Sequence, residues 1–347
     1  TLDTYPGVTG ANYNDPAVQA KVNQYGYNAA LLGQQASPSN QITVALRTNY
    51  DVTDKLNLFF ESTFSNYKTN GRREASPMRT DSALGAFTGT NGYFPIEFEV
   101  ANPNNAAQSQ RLINPFVPAN VLALADRRAV NDAIDSRDIS FLLRTTMFGD
   151  GTRSTPTERD NFRVALGGTY EIAGDWHADF SYQYGYTKQR QGMTGLADLY
   201  RLAQAGQVIP EVYGYNRNGN TTEAICVDAT ARSQGCVPIN VFGLNADGSS
   251  KISKEAAAWL STEMSRYSKQ EMQSAAINVG GTVFNLPAGP LQVSVGGERR
   301  EESSTDDFDP LTNAARNGYV QLLDTSGRFT VKEAYGEVVV PLIHNTP

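Results

Sequence analysis

The chain has 347 residues, of which 40% are apolar and 10% aromatic, and it carries a formal charge of −7. A slightly negative mean hydropathy and the lack of any run of about 18 apolar residues exclude a helical membrane protein. The acidic balance argues against a nucleic-acid partner, whose footprint is basic.

Asp15 and Pro16 have the form of an N-cap and a first helical residue, which predicts a short helix over Ala17–Tyr25. A period of two then sets in. Ile42, Val44, Leu46, Thr48 and Tyr50 alternate with polar residues, turn through Asp51–Lys55, and return as Leu56, Leu58, Phe60, Ser62 and Phe64. A long insertion from about 69 to 137 follows, rich in Asn, Pro, Gly and Ala, with a predicted helix over Ala119–Ala133 after Pro118. Ile139–Phe148 and Arg159–Tyr170, joined by Gly149–Pro156, read as a hairpin projecting past the membrane.

The second pair runs through Phe162, Val164, Leu166, Gly168 and Tyr170, turns at Glu171–Asp175, and returns as Trp176, Ala178, Phe180, Tyr182, Tyr184 and Tyr186. The residues between those of the return strand include His177, Asp179, Ser181 and Gln183. One greasy, aromatic face and one polar face over roughly 9–11 residues is the pattern of a strand that crosses a bilayer at a tilt. A second loop, about 189–267, holds one helix with Leu196, Leu199, Leu202 and Ala203 on a face, stopped by Gly206, and another from Ser253 through Glu255–Ser265. The third pair is Ala275–Val283, the turn Leu286–Pro290, and Leu291–Gly297; then come a loop at about 303–327 and a last strand, Phe329–Leu342. Short turns at one end and long connections at the other, with Tyr50, Tyr170 and Trp176 beside the short turns, are the asymmetry of an outer-membrane barrel.

Few side chains suggest chemistry. His177, Asp179 and Ser181 share one strand face but are spaced along it, so a hydrated wall is the plainer reading and no catalysis is expected. Asp306, Asp307 and Asp309 lack the regular spacing of a calcium loop and read as solvated; no metal and no cofactor is expected. Tyr93, Phe94, Tyr213, Tyr215, Asn216 and Asn218 are aromatic and amide groups on the long loops, suited to a sugar, a peptide or a chelate, or to loop packing. Cys226 and Cys236 share a polar loop and form either a disulfide or two separate thiols; an oxidising, extracellular setting favours the bond.

Several segments together resemble the TonB-dependent receptors, ligand-gated transporters of Gram-negative outer membranes. They are Gly235-Cys236-Val237-Pro238-Ile239-Asn240-Val241-Phe242-Gly243, Leu286-Pro287-Ala288-Gly289-Pro290-Leu291, Val295-Gly296-Gly297-Glu298-Arg299-Arg300-Glu301, Val331-Lys332-Glu333-Ala334-Tyr335-Gly336-Glu337-Val338 and Ile113-Asn114-Pro115-Phe116. The resemblance implies an all-β fold, an antiparallel up-and-down transmembrane barrel of which 1–347 supplies about seven or eight strands with long extracellular loops. It also implies outer-membrane lipid around the wall, an extracellular small-molecule or oligosaccharide ligand, and energy from TonB acting through a plug. No plug or TonB-recruiting box is found, and Thr1 is not followed by a signal peptide, so the expectation is an internal piece of a receptor whose own strands do not close. The alternatives are a diffusive porin or structural outer-membrane barrel, and a secreted, glycan-binding β-sandwich.

Overall fold

Hydrogen bonding follows chain order: seven strands form one antiparallel sheet in which each pairs with the sheet's preceding and following strand, although smaller strands intervene in sequence at two of the steps. The computed structural model describes residues 15–17, 33–74, 78–79, 94–102, 105–132, 139, 142–143, 152–212, 223–243, 245–246, 250–318 and 320–343. In chain order the strands are β1 (Ser39–Thr53), β2 (Leu56–Glu74), β3 (Met78–Arg79), β4 (Glu97–Asn102), β5 (Asn105–Ile113), β6 (Leu142–Leu143), β7 (Thr152–Ala173), β8 (Trp176–Ala197), β9 (Val208–Pro210), β10 (Ala224–Cys226), β11 (Ser261–Leu286), β12 (Gly289–Phe308) and β13 (Thr325–Val339). The helices are α1 (Ala119–Asp132), α2 (Leu199–Gly206), α3 (Ala229–Ser233), α4 (Lys254–Leu260) and α5 (Pro310–Asn313). The main sheet has the order β1-β2-β7-β8-β11-β12-β13; β3 pairs with β6, β4 with β5 and β9 with β10.

Three hairpins of this sheet close through two-residue turns, Asp54-Lys55, Gly174-Asp175 and Pro287-Ala288, all at one end. Gly174 adopts φ 64°, a left-handed conformation that suits the turn. At the Gly174 turn the Asp175 carboxylate also accepts from the Thr282 backbone N–H at 3.1 Å and from its hydroxyl, which ties this hairpin to β11.

Register places the predicted apolar residues on one face, save at a bulge where Phe284 takes the place of Val283 opposite Leu291. Phe60 faces Leu166, which faces Tyr182, which faces Ala275; Leu58 leads through Gly168 and Phe180 to Ile277. The polar set takes the other face, where Arg47 lies opposite Glu61 and Thr169 opposite Asp179. Among the described residues no second sheet packs on the apolar face: Ile42 is 59% exposed, Leu166 46% and Ile277 54%. Trp176 packs against Gly281, where an added Cβ would meet its ring at 2.6 Å, and its indole N–H donates to the Thr282 carbonyl at 2.9 Å. A glycine under an aromatic ring lets the two strands keep contact at the short-turn end.

The apolar band crosses the sheet diagonally. The register row that starts at Ile42 runs through Asn66, Asp160, Lys188, Lys269 and Thr305 to Ser326, all polar after the first. On β13 the small and apolar outer series starts only at Ala334, eight residues nearer the short-turn end. That row leads back through Gly297, Ile277, Phe180, Gly168 and Leu58 to Tyr50, the lower edge of the band on β1. A drift of eight residues over six inter-strand steps, at about 3.3 Å per residue and 4.8 Å per step, corresponds to strands tilted by about 40° from the normal to the band. Strands that wall a membrane barrel tilt by 35–45°. At that tilt the stretch from Trp176 to Tyr186 spans about 25 Å, the height of a lipid-facing band.

The ladders run past this band into stretches that look like loops in sequence: β2 to Glu74, β8 to Ala197 and β12 to Phe308. Three sequence expectations are corrected. Leu196, expected on a helix face with Leu199, Leu202 and Ala203, lies instead in β8 opposite Thr262. Arg159–Tyr170 does not pair with Ile139–Phe148, because both edges of β7 are taken, by β2 up to Glu74↔Thr152 and by β8. The described residues of that segment pair elsewhere, Ile139 with Phe94 and Leu142–Leu143 with β3. The helix expected over Glu255–Ser265 stops at Leu260, and Ser261 onward joins β11 opposite Ala197. α1 ends within one residue of its predicted limit, and α2 buries Leu202 and Ala203. Ala17 N–H donates to Asp15 Oδ1 at 2.8 Å as an N-cap requires, while the rest of the predicted Ala17–Tyr25 helix lies outside the described residues.

β1 and β13 are the free edges: among the described residues no strand pairs with their outer sides. Seven alternating strands leave β1 and β13 running in the same direction, so joining them would need a parallel ladder. Single-chain bacterial barrels use an even number of antiparallel strands.

Candidate functional site

The long connections leave the end opposite the short turns, and their described parts fold onto one another as a cap. Phe94 and Ile96 from the first connection pack with Leu202, Ala205, Ile239, Ile252 and Leu260 from the second in one buried cluster. A second cluster joins the two small hairpins through Val100, Leu112, Ile209 and Ile225. The third connection is attached by polar groups. Asp198, 5% exposed, caps α2 by accepting from the N–H groups of Tyr200 at 2.9 Å and Arg201 at 3.3 Å. The same carboxylate receives the Arg316 guanidinium at 2.7 and 3.0 Å, and Leu199 N–H donates to the Arg316 carbonyl at 2.6 Å.

Two of the family-like segments supply the spine of this cap. In Ile239-Asn240-Val241-Phe242 the Phe242 N–H donates to Asn240 Oδ1 at 2.9 Å, and Ile239 N–H donates to the Ala205 carbonyl at 3.0 Å. In Ile113-Asn114-Pro115-Phe116 the same turn recurs, with Phe116 N–H donating to Asn114 Oδ1 at 3.0 Å. An Asn that bonds the backbone two residues on builds its own turn, which explains the shared Ile-Asn-X-Phe form. Both segments are structural.

Cys226 and Cys236 are disulfide-bonded, with Cα atoms 6.4 Å apart. The bond fastens β10 to the residues after α3, where Cys236 N–H also donates to the Ala231 carbonyl at 2.9 Å. Replacing both cysteines by serine is expected to lower cap stability by about 2–3 kcal/mol, the loss for a short closed loop. Trypsin nicking between 223 and 243 in the double variant, with the sheet intact, is the measurement.

The sequence-predicted side chains fare differently. Phe94 is fully buried and stands edge-on to Phe242, 6.0 Å between centroids, so its ring serves packing and offers no face to a ligand here. Tyr93, Tyr213, Tyr215, Asn216 and Asn218 lie outside the described residues. Asp179 accepts from the Thr169 hydroxyl at 2.6 Å and stands 3.7 Å from His177 Nε2, while no hydrogen bond joins Ser181 to His177. Asp306 holds the Arg266 guanidinium at 2.7 Å, and the described residues contain no group of metal-ligating side chains.

Asp309 caps α5. It accepts from Leu311 N–H and Thr312 N–H at 3.0 Å, from the Thr312 hydroxyl at 2.6 Å, and from Ser265 N–H at 2.9 Å. Burial pushes its carboxyl up, but the bond from the Thr312 hydroxyl and those from the three backbone N–H groups outweigh it and hold Asp309 below the usual carboxylate range. A lowered folded value means its stabilisation is complete above the unfolded carboxylate value, about 3.9, and is lost as pH falls through the folded value. The third connection should therefore loosen only in acid. Amide protection of Leu311 and Thr312, corrected for intrinsic exchange, should fall below about pH 4 in the native protein and lose that step in Asp309→Asn.

Beyond the band, the polar face borders an open pocket of about 1000 Å³ whose wall includes Thr63, Asn161, Thr187, Gln270, Ser304 and Phe329. Sequence reading missed Phe329 as a wall residue. Its signal was parity, since it falls on the polar-face series of β13, opposite Glu302, and not with Ala334 and Val338. No protein-family model matches this chain, and no curated protein matches it. The fold itself is mostly antiparallel β-sheet, in one open layer.

Proposed function

We propose that the chain forms part of the barrel wall of a TonB-dependent receptor in a Gram-negative outer membrane. It binds a scarce nutrient outside the cell and imports it with energy relayed through a plug, and it performs no catalysis of its own. The observation that carries the reading is the diagonal apolar band. A single sheet leaves Val44, Leu166, Ile277 and Val295 open to the outside, and the band implies a strand tilt of about 40°, within the range for membrane barrels. Phe64, Phe162 and Tyr186 lie at the upper edge of the band, and Tyr50, Tyr170 and Trp176 line its lower edge, as interfacial girdles do. A secreted sandwich would cover this face with a second sheet, and water would penalise it uncovered. Further strands, odd in number, would pair both free edges, because an unpaired backbone group in lipid costs several kcal/mol.

The test is to express the complete gene in a Gram-negative host, with and without TonB. The expected result is a heat-modifiable protein in the outer-membrane fraction and uptake of a labelled nutrient only when TonB is present. Uptake that ignores TonB would make it a diffusive porin, and recovery in the soluble fraction would return the sandwich reading.

A further inference from the structure

We infer that the inner wall above the membrane band is a binding surface for a neutral, hydroxyl-rich ligand, an oligosaccharide, built around Gln270, Ser304 and Phe329. This rests on the receptor reading and adds the class of nutrient. The wall residues Ser65, Asn161, Thr187, Gln270 and Ser304 are consecutive in one register row across five strands. All five carry a hydroxyl or an amide and none carries charge. Asn161 donates to Ser65 at 3.3 Å and Thr187 donates to Asn161 at 2.9 Å, while the side chains of Gln270 and Ser304 have no partner among the described residues. Those two groups, together a donor–acceptor amide and a hydroxyl, are free to bond sugar hydroxyls.

Three arginines around the row are paired with carboxylates. Arg163 meets Glu61 at 3.1 Å, Arg300 meets Glu302 at 3.1 Å, and Arg266 meets Asp306 at 2.7 Å. The nearest cation on this face without a carboxylate partner among the described residues, Arg159, is engaged with Gln189 Oε1 at 2.9 and 2.5 Å, and the row itself offers an anionic chelate no cation. Phe329 is 53% exposed on this face, one row below Gln270 and Ser304 and in the same row as Glu302 and Met272. An exposed ring beside free hydrogen-bonding groups suits a pyranose, whose apolar face stacks while its rim bonds. The height fits a receptor as well. Ser304 stands seven residues beyond Gly297 and Phe329 five beyond Ala334, so the surface lies about 13–18 Å outside the apolar band, below the cap. A ligand arriving from outside reaches it before the membrane.

The test uses the complete receptor purified from outer membranes in detergent. Maltohexaose, cellohexaose and xylohexaose are titrated calorimetrically, with a ferric tricatecholate as the anionic comparator. At least one neutral hexasaccharide should bind and the chelate should not. Phe329→Ala and Gln270→Ala should each weaken binding about tenfold, the loss expected for a stacking surface or one hydrogen bond. Phe329→Tyr should retain it, and heat-modifiability should be unchanged in all three. The inference is overturned if no hexasaccharide binds, if binding ignores both alanine substitutions, or if the chelate binds in their place. TonB-dependent uptake of the chelate with no sugar binding would sink this inference and leave the receptor reading standing.

Discussion

Leu166→Arg is expected to destabilise the sheet in lipid by about 2–4 kcal/mol, while Gln183→Arg, one strand away on the opposite face, is expected to change it little. Leu166 lies between Phe60 and Tyr182 in the middle of the apolar band and is 46% exposed. In water such a residue gains by becoming charged. In hydrocarbon the same guanidinium must be dragged to an interface or leave its hydration behind. Gln183 lies between Ala165 and Ser274 on the polar face, where water already reaches. Unfolding of the complete protein from lipid vesicles in urea measures both. The pair decides between environments: a sheet that lives in water would tolerate Leu166→Arg or gain solubility from it. Equal tolerance at both positions would remove lipid from the account.

The hairpins are legible in sequence because lipid and lumen impose opposite demands on alternate residues, and a period of two records that directly. Phe162 to Tyr170 and Trp176 to Tyr186 carry the signal at full strength. Beyond Phe162 the demand ends. Asp160 and Lys188 face out and Asn161 and Thr187 face in, so both faces are polar and the alternation vanishes although the ladder continues. Strand length was therefore hidden, and β2, β8 and β12 run further than the pattern tells. The diagonal of the band is also invisible in one dimension, since it exists only once register fixes which residues are level. The false hairpin at Ile139–Phe148 has a related cause: local alternation says that a strand exists and not which edge is free.

The candidate site was legible only at the disulfide and at the Ser253 cap; Asp198 was not singled out, and Asp309, read as solvated, instead caps α5. Gln270, Ser304 and Phe329 come together through strands that are distant in sequence, and no single segment advertises them. The cap core is similar. Phe94, Leu202 and Ile239 belong to stretches with no shared period, so their meeting is a tertiary fact.

Phe94→Ala tests that fact. The ring is fully buried, lies edge-on to Phe242 at 6.0 Å, and sits where a two-way bridge fixes the backbone, Phe94 N–H to the Ile139 carbonyl at 2.6 Å and Ile139 N–H back to Phe94 at 3.0 Å. Truncating it leaves a ring-sized void among Ile96, Ile239 and Leu260, and such changes cost about 3–5 kcal/mol. A loop layer held by two apolar clusters, one disulfide and a salt bridge has little reserve, so the expected result is local opening. Trypsin should then cut the first and second connections, and amides of α2 and around Ile239 should lose protection. The sheet should stay heat-modifiable, because its ladders do not depend on the cap. Ligand binding should weaken in proportion to the opened fraction and recover on cooling, and Phe94→Leu, which keeps most of the volume, should lie between. The opposite outcome is as specific. Binding lost at all temperatures, with proteolysis and protection unchanged, would mean that the ring meets the ligand directly in another conformation of the cap.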